Sequence, residues 1–392
     1  MFWSRALTFV NATIVSQPLA RTLRIKDGRV DGIGVAPARR DTVVDLHGSY
    51  VFPGLINAHD HLELNSQPRL KWRDRYDNAS EWIADFQPRF ASDPALAVTR
   101  PETLDDRLWV GGLKNLLSGV TTVCHHNPLH RALHRRFPVK VVTRFGFSHS
   151  LHIDGDRVAA SHQNTPTAWP WMIHAAEGRD AAARDEVSVL DGLGCLAPNT
   201  VLIHGVAFCA SASERVIAAG AGLVWCPSSN DFLFGATADV RAFDDADRLA
   251  LGSDSRLSGA GDLLDELHAA HATRQLSTEG LGRSVLAGAA RLLRLPDGGR
   301  IALGGPADLT IIKPLDPDPY DTLVTASRAD VRLTMIDGRA CVGEPELQAV
   351  FTATGVSAIA AVLDDTPRLV ARWIGTHTQR MQLQEPGFAV SH

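Results

Sequence analysis

Cysteine is scarce in this sequence, and its pattern excludes two kinds of site. The 392 residues include five cysteines, widely spaced and without a C-x-x-C pair. An odd number in this arrangement argues against a disulfide framework and against a thiolate zinc site. It favours a reducing compartment, so we predict a cytoplasmic location.

Strong charge of one sign and long apolar runs are also missing. A net charge of -5 gives no indication of a nucleic-acid surface or a basic membrane face. No segment reaches the roughly 20 apolar residues that a membrane span needs, and the N-terminus lacks a clean signal-peptide core. We therefore expect neither nucleic acid nor membrane as a partner.

The two ends of the chain are rich in short predicted strands. Asp27-Gly28 and Asp337-Gly338 each lie between extended runs, a strong hairpin signal because glycine tolerates the positive φ of a tight turn. The segments 1–50 and 301–345 are predicted to pair into one small composite β-sandwich domain.

Residues 51–300 alternate short apolar strands with helical stretches, which predicts a parallel sheet. About 250 residues are expected of an eight-fold (β/α) barrel of the TIM type. A doubly wound open sheet is the alternative, but no G-x-G-x-x-G turn follows an early strand. The barrel is preferred, with VKVVTRFGFS as its fourth strand. Residues 346–392 are predicted to be a helical extension that packs on the barrel or on a partner subunit, so a homodimer stays open.

Two histidines and an aspartate occur together in INAHDHL. Residues i and i+2 of a strand face the same side, so His59 and His61 can aim into a barrel mouth while Asp60 points towards the helices. A buried carboxylate there must be paired or hydrogen-bonded. An H-x-H pair is a weak metal signal by itself, and its weight depends on what accompanies it.

Polar residues end several later strands. His174 ends PWMIH and Glu177 follows in the loop, His204 ends TVLIH, and Asp254 follows RLALGS. One such residue is explained by helix capping or a satisfied polar contact. A series at successive strand ends instead indicates an active site at the carboxyl face of a barrel.

The ordered pieces PGLINAHDHL, SGVTTV, HAAEG, LIHG, WCPSSN and LGSDS resemble the amidohydrolase superfamily, especially its cytosine deaminase, guanine deaminase and triazine hydrolase branch. The resemblance spans about residues 1–345. It implies that His59, His61, His174 and Asp254 bind one divalent metal, Zn²⁺ or alternatively Fe²⁺. No lysine stands at the end of the fourth strand, where binuclear relatives carry a bridge, so a mononuclear site is expected.

The resemblance also implies catalytic roles for Glu177, His204 and Asp254 in deaminating a small aminated heterocycle. Metal-bound hydroxide would attack an electrophilic carbon and Asp254 would take its proton. Glu177 would protonate a ring nitrogen, and His204 would stabilise developing charge. The alternatives are an amidohydrolase or dehalogenase using the same centre on another bond, and a non-catalytic scaffold barrel. The expected partner is a small-molecule substrate.

Other candidates have less support. The histidine-rich stretch 125–134 is predicted to be loop and helix surface, although His125 or His126 could reach the mouth. His149 and His152 are candidate pocket residues. The segment 69–82 is either a substrate loop or a solvated charged stretch, and Cys226 is expected to be structural.

Overall fold

The computed structural model describes residues 6–90, 92, 96, 104–134 and 136–391. Residues 1–5 of the predicted first β-segment lie outside this part. In chain order, the strands are β1 (Leu7–Val10), β2 (Thr13–Ile14), β3 (Leu23–Lys26), β4 (Arg29–Ile33), β5 (Thr42–Asp45), β6 (Tyr50–Pro53), β7 (Leu55–Asp60), β8 (Val120–His125), β9 (Lys140–Val141), β10 (Gly146–Ser150), β11 (Trp171–Ala175), β12 (Thr200–His204), β13 (Gly222–Trp225), β14 (Leu249–Leu251), β15 (Leu309–Ile312), β16 (Val331–Ile336), β17 (Arg339–Gly343), β18 (Ala358–Leu363), β19 (Thr366–Ala371) and β20 (Phe388–Val390).

The helices alternate with these strands through the middle of the chain. They are α1 (Ala79–Phe90), α2 (Leu104–Leu117), α3 (Leu151–Asp154), α4 (Arg157–Asn164), α5 (Ala181–Gly192), α6 (Ala210–Ala218), α7 (Pro227–Phe234), α8 (Arg241–Asp245), α9 (Leu263–Ala272), α10 (Thr278–Ser284), α11 (Ala287–Leu292), α12 (Pro319–Thr325), α13 (Gln348–Ala353) and α14 (Arg372–Thr378). Within the ranges given above, no helix has both the length and the apolar character to cross a membrane.

Eight parallel strands form the centre of the fold. Strands β7 to β9 make one sheet and β10 to β14 make another, and every pair within them is parallel. The amide of Asp254 donates to the carbonyl oxygen of His59 over 3.1 Å, which joins the loop after the last strand to the first. This is a TIM-barrel-like α/β fold, and closure into one continuous hydrogen-bonded barrel stays a prediction.

Alternation along β11 decides which side chains face inwards. Trp171 and Ile173 belong to the apolar layer that also contains residues of the surrounding helices, such as Val187 of α5. Met172 instead packs with apolar residues of the other parallel strands. His174, two residues after Met172, therefore faces the same inner side.

The predicted fourth strand is divided in two. Strand β9 pairs with β8, whereas β10 begins at Gly146 and pairs with β11. A side chain at Gly146 would collide with Thr165, since an added Cβ would lie 1.8 Å from its Oγ1. Glycine thus lets the chain restart as a separate strand close against this residue. The sequence pattern of alternating apolar residues did not reveal the break.

Strands from the two ends of the chain pair with each other, and β6 and β15 run antiparallel. Both predicted hairpins are confirmed. Asp27 and Gly28 join β3 to β4, and Asp337 and Gly338 join β16 to β17, all four with positive φ. Strand β6 pairs with β15 in an eight-stranded sheet, while β1, β3, β4 and β5 form a four-stranded one. Side chains of both sheets share one apolar core. The division into domains stays a prediction.

The prediction of a mainly helical tail is wrong. Helix α13 ends before Gly355, which has φ +67°, and β18 and β19 then form a hairpin. Asp364 and Asp365 form its turn, with φ +45° and +61°. Paired positive φ values suit a tight hairpin turn, and aspartate tolerates them better than most residues. Strands β18 to β20 extend the eight-stranded sheet.

The tail also reaches the loop that carries Asp254. Glu385 is buried, and its carboxylate accepts hydrogen bonds from both terminal nitrogens of Arg256, at 2.6 and 2.7 Å. Arg328 donates to the same carboxylate at 2.9 Å. The C-terminal segment is thus fixed by charge-assisted bonds two residues from a predicted metal ligand.

Candidate functional site

Three histidines from two strands meet at the carboxyl ends of the parallel strands. His59 lies in β7, His61 directly follows it, and His174 lies in β11. Their ring centroids are 4.9 to 5.4 Å apart, and all three side chains are buried. The structure therefore brings together the three histidines that the sequence predicted as ligands.

The chemistry of this cluster suits a metal ion. Neither ring nitrogen of His59 has a hydrogen-bond partner within the part of the chain that the structure describes, although the residue is fully buried. The Nε2 atoms of His61 and His174 approach to 3.3 Å. Burying unpaired imidazole nitrogens is unfavourable, and a bound cation would satisfy them.

The orientation of His174 is fixed by its other nitrogen. Its Nδ1 lies 2.8 Å from the carbonyl oxygen of His149 and must donate to it, which leaves Nε2 unprotonated and directed into the cluster. Burial lowers the pKa of His174 well below its ordinary value, so the ring stays neutral as a ligand must.

Asp254 completes the cluster. Its Oδ1 lies 3.8 Å from Nε2 of His59, and the ligand atoms of His59, His204 and Asp254 all lie within 4.8 Å of one another. Burial would raise the pKa of Asp254, but the nearby His61 and His204, with a hydrogen bond from Ser258, hold it below its ordinary value. This carboxylate is ionised at neutral pH and can accept a proton.

Glu177 and His204 face each other beside the ligands. The Oε1 atom of Glu177 lies 3.5 Å from Nε2 of His204. Burial, then Asp254 and Glu186, raise the pKa of Glu177 well above its ordinary value. Two nearby carboxylates with opposite pKa shifts are suited to opposite roles, one as acid and one as base.

The tautomer of His204 follows from its contact with Asn230. Its Nδ1 lies 2.8 Å from Oδ1 of Asn230, whose Nδ2 donates to Thr237. His204 therefore donates through Nδ1 and keeps a lone pair on Nε2, towards Glu177. Burial lowers the pKa of His204, which favours this neutral form.

Asp60 faces away from the cluster, as predicted. Its carboxylate accepts hydrogen bonds from Asn65 and Asn115, both at 2.8 Å, and lies 3.4 Å from Nζ of Lys114. Lys114 and Asn115 belong to α2, so the predicted contact with the helix layer is confirmed. Lys114 also donates to the carbonyl oxygen of Asp254 over 2.8 Å.

His126 is a member of the cluster that the sequence interpretation undervalued. It is fully buried, its ring stacks 4.4 Å from that of His174, and its ligand atom lies within 4.8 Å of those of His59, His61 and His174. Its position directly after β8 could have revealed it by the same strand-end rule. His125 is buried too, so the expected surface location of this pair is wrong, and the alternative that one of them reaches the mouth holds for His126.

The two remaining histidine candidates, His149 and His152, differ in their exposure. His149 lines the cluster, with its ring 4.7 Å from His174, and burial lowers its pKa to about 4. His152 is exposed. Cys226 is fully buried at the start of α7, and burial raises the pKa of its thiol well above the ordinary value, which suits a structural role.

The segment after β7 is tied to other loops at the same end of the strands. Arg69 donates to the carbonyl oxygens of Ser258 and Ser228 at 2.9 and 2.8 Å, and its guanidinium lies over the ring of Phe232. Lys71 donates to the carbonyl oxygen of Phe232. Arg69 and Lys71 thus contact neighbouring loops, but Arg69 is also exposed, as are Arg73, Asp74 and Arg75, so both interpretations of this segment stay predictions.

The sequence of this chain is similar to those of known amidohydrolases and deaminases. The model of the amidohydrolase family matches residues 158–341. A 5-methylthioadenosine/S-adenosylhomocysteine deaminase of Halobacterium salinarum is 27% identical over 384 residues, covering 82% of this chain and 87% of that protein. An 8-oxoguanine deaminase of Pseudomonas aeruginosa is 33% identical over 175 residues, which cover 37% of this chain and 36% of that protein.

Solved structures with the same fold include two that contain zinc. Atrazine chlorohydrolase of Arthrobacter aurescens, complexed with zinc, has a TM-score of 0.71 and 18% identity, covering 89% of this chain and 99% of that one. An adenosine deaminase of Xanthomonas campestris with bound zinc has a TM-score of 0.69 and 16% identity, covering 89% and 97%. At these identities the likeness is one of fold.

Proposed function

From the confirmed resemblance to the amidohydrolase superfamily, we propose that this chain is a zinc-dependent deaminase of an aminated, purine-like heterocycle. The predicted enzyme class, a metal-dependent hydrolase of carbon–nitrogen bonds, is confirmed. The observation that carries deamination is the place of Glu177, three residues after His174 and 3.5 Å from Nε2 of His204.

The residues divide the work between them. His59, His61, His174 and Asp254 would hold one divalent ion. When bound, the ion lowers the pKa of a coordinated water, so that a nucleophile is available at neutral pH. Asp254, which is ionised, would accept a proton from the attacking water as the carbon–oxygen bond forms.

Glu177 supplies the acid. Its raised pKa favours the protonated carboxyl, which would give its proton to the ring nitrogen next to the carbon under attack. The carbon–nitrogen bond to the exocyclic amino group then breaks, and the proton held by Asp254 leaves with ammonia. The proton that remains on the new oxygen returns to Glu177, which restores the acid and leaves a carbonyl product. The neutral His204 is oriented by Asn230, and its unprotonated Nε2 can accept a hydrogen bond from the attacking oxygen.

Ammonia release tests the activity directly. The zinc-loaded protein is assayed with aminated purines, including 5′-methylthioadenosine and 8-oxoguanine, and with pyrimidines, pterins and triazines. We expect ammonia from at least one aminated purine. Chloride release from a chlorinated triazine, with no ammonia from any aminated compound, would overturn deamination and favour the dehalogenase alternative.

Glu177→Gln tests the acid. It should retain zinc and lose turnover by about 10²–10⁴-fold, the range of general acid–base catalysis. Glu214→Gln, which changes an exposed carboxylate of α6, is the matched control and should keep full activity. Full activity in Glu177→Gln would remove the proposed acid and with it this mechanism.

A further inference from the structure

A strained residue separates the predicted metal ligand His174 from the predicted acid Glu177. Ala176 has φ +53°, the left-handed region that favours glycine because it has no Cβ. Ala176 is also fully buried, so its amide and carbonyl need partners within the protein. Such strain persists only where surrounding contacts hold it.

One side chain and several backbone groups hold this turn. The Ala176 amide donates to Oε2 of Glu186 over 2.5 Å, and its carbonyl oxygen accepts from the amide of Ala207 over 3.0 Å. The carbonyl oxygen of the preceding Ala175 accepts from the amide of Gly205 over 3.1 Å. Glu186, in α5, is therefore the side chain that fixes the turn.

Glu186 has no other evident task. Across the described ranges it forms no ion pair with a lysine, arginine or histidine, although its side chain is half-buried. A half-buried carboxylate without a cation is unfavourable unless strong donors satisfy it. The donor that it has is the Ala176 amide.

The turn determines where the Glu177 carboxyl points. Rotation about φ or ψ of residue 176 would swing the next residue, while the carbonyl oxygen of Glu177 is held from the other side by the amide of Ala79, at 3.0 Å. The 3.5 Å approach of Glu177 to His204 thus depends on the conformation of Ala176.

We propose that Glu186 is a positioning residue that locks the left-handed turn at Ala176 and thereby aims Glu177 at His204. This role rests on the function proposed for Glu177. Glu186 acts on the acid through the peptide between His174 and Glu177, and its charge also contributes to the raised pKa of Glu177.

Four variants of the zinc-loaded full chain test the proposal: Glu186→Ala, Glu186→Gln, Ala176→Gly and the double variant Glu186→Ala/Ala176→Gly. Asp185→Asn, which removes an exposed charge from the same helix, is the matched control. Zinc content, hydrogen exchange of the 173–178 backbone, and kcat and KM for the substrate found above are measured for each.

In Glu186→Ala we expect faster exchange at Ala176, full zinc content, and a fall in kcat of about 10²-fold with little change in KM, since small misplacements of a catalytic group have such costs. Glu186→Gln still offers an acceptor oxygen and should keep most activity. The double variant should regain much of the lost kcat, because glycine adopts positive φ without steric cost. A merely structural role for Glu186 would not give this rescue.

If hydrogen exchange of the Ala176 amide is the same in Glu186→Ala as in the unaltered protein, the proposal is overturned, whether or not a substrate is known. A double variant as slow as Glu186→Ala would overturn it as well. Failure of the proposed function gives a different pattern. Glu177→Gln would then stay active, while hydrogen exchange at Ala176 would still be faster in Glu186→Ala.

Discussion

Replacing Lys114 by methionine should destabilise the protein far more than replacing a lysine at the surface. The Lys114 ammonium is fully buried and donates to Asn65, Ser253 and the carbonyl oxygen of Asp254 at 2.8 to 3.0 Å. The buried carboxylate of Asp60 lies 3.4 Å away. Methionine keeps the volume but leaves that carboxylate without a cation.

The magnitude follows from burial. Removing one partner of a buried ion pair costs about 3–5 kcal/mol, because the other charge remains desolvated. Lys140 is the matched control, with its ammonium 2.7 Å from Asp308 and 2.6 Å from Asp337, but with a third of its side chain exposed. Exposed pairs contribute about 0–1 kcal/mol. Distance alone would rank the two lysines in the opposite order.

Urea unfolding of the zinc-loaded proteins measures both costs as differences in the free energy of unfolding. We expect Lys114→Met to lose several times more than Lys140→Met. The double variant Asp60→Asn/Lys114→Met should recover part of the loss, because it removes the uncompensated charge. Equal losses in the two single variants would refute the argument that burial governs the strength of these pairs.

Three further outcomes are expected. His174→Ala should bind much less zinc by elemental analysis, and unchanged stoichiometry would contradict its assignment as a ligand. Burial raises the pKa of Glu266 from 4.5 to about 8, so its contribution to stability is complete below about pH 4.5 and is lost as the pH rises through 8. The native protein should therefore lose stability relative to Glu266→Gln as the pH rises from about 4.5 to 8, at about 1.4 kcal/mol per pH unit, and parallel stability curves over this range would contradict this. Asn230→Ala should lower kcat by freeing His204 to adopt the other tautomer, whereas Asn230→Asp keeps an acceptor for Nδ1 and should retain more activity; equal losses would count against the tautomer assignment.

The site was largely predictable because its residues follow a local rule. His174 and His204 end apolar strands, and side chains at the carboxyl ends of parallel strands meet at one face of a sheet. The same rule applied to the strand ending at His125 would have found His126. Several histidines close together in the sequence favoured a surface stretch, so His126 was predicted only as an alternative.

What could not be predicted depends on partners that are distant in the sequence. The sequence around Lys114 gives no indication of a buried cation, because the groups that accept hydrogen bonds from Lys114 belong to other strands and loops. The tail was misread since its alanines favour a helix, whereas the Asp364-Asp365 turn and pairing with the sheet determine a hairpin. Tertiary contacts outweighed local preference there.

The bond between Glu385 and Arg256 makes the two ends of the fold thermodynamically dependent on each other. Arg256 lies two residues from Asp254, so its loop connects a predicted metal ligand with the C-terminal segment. Coupling free energies are reciprocal: whatever an intact tail adds to metal affinity, bound metal adds to the order of the tail. We therefore expect the segment around Glu385 to be better protected from proteolysis in the zinc-loaded protein than in the metal-free protein.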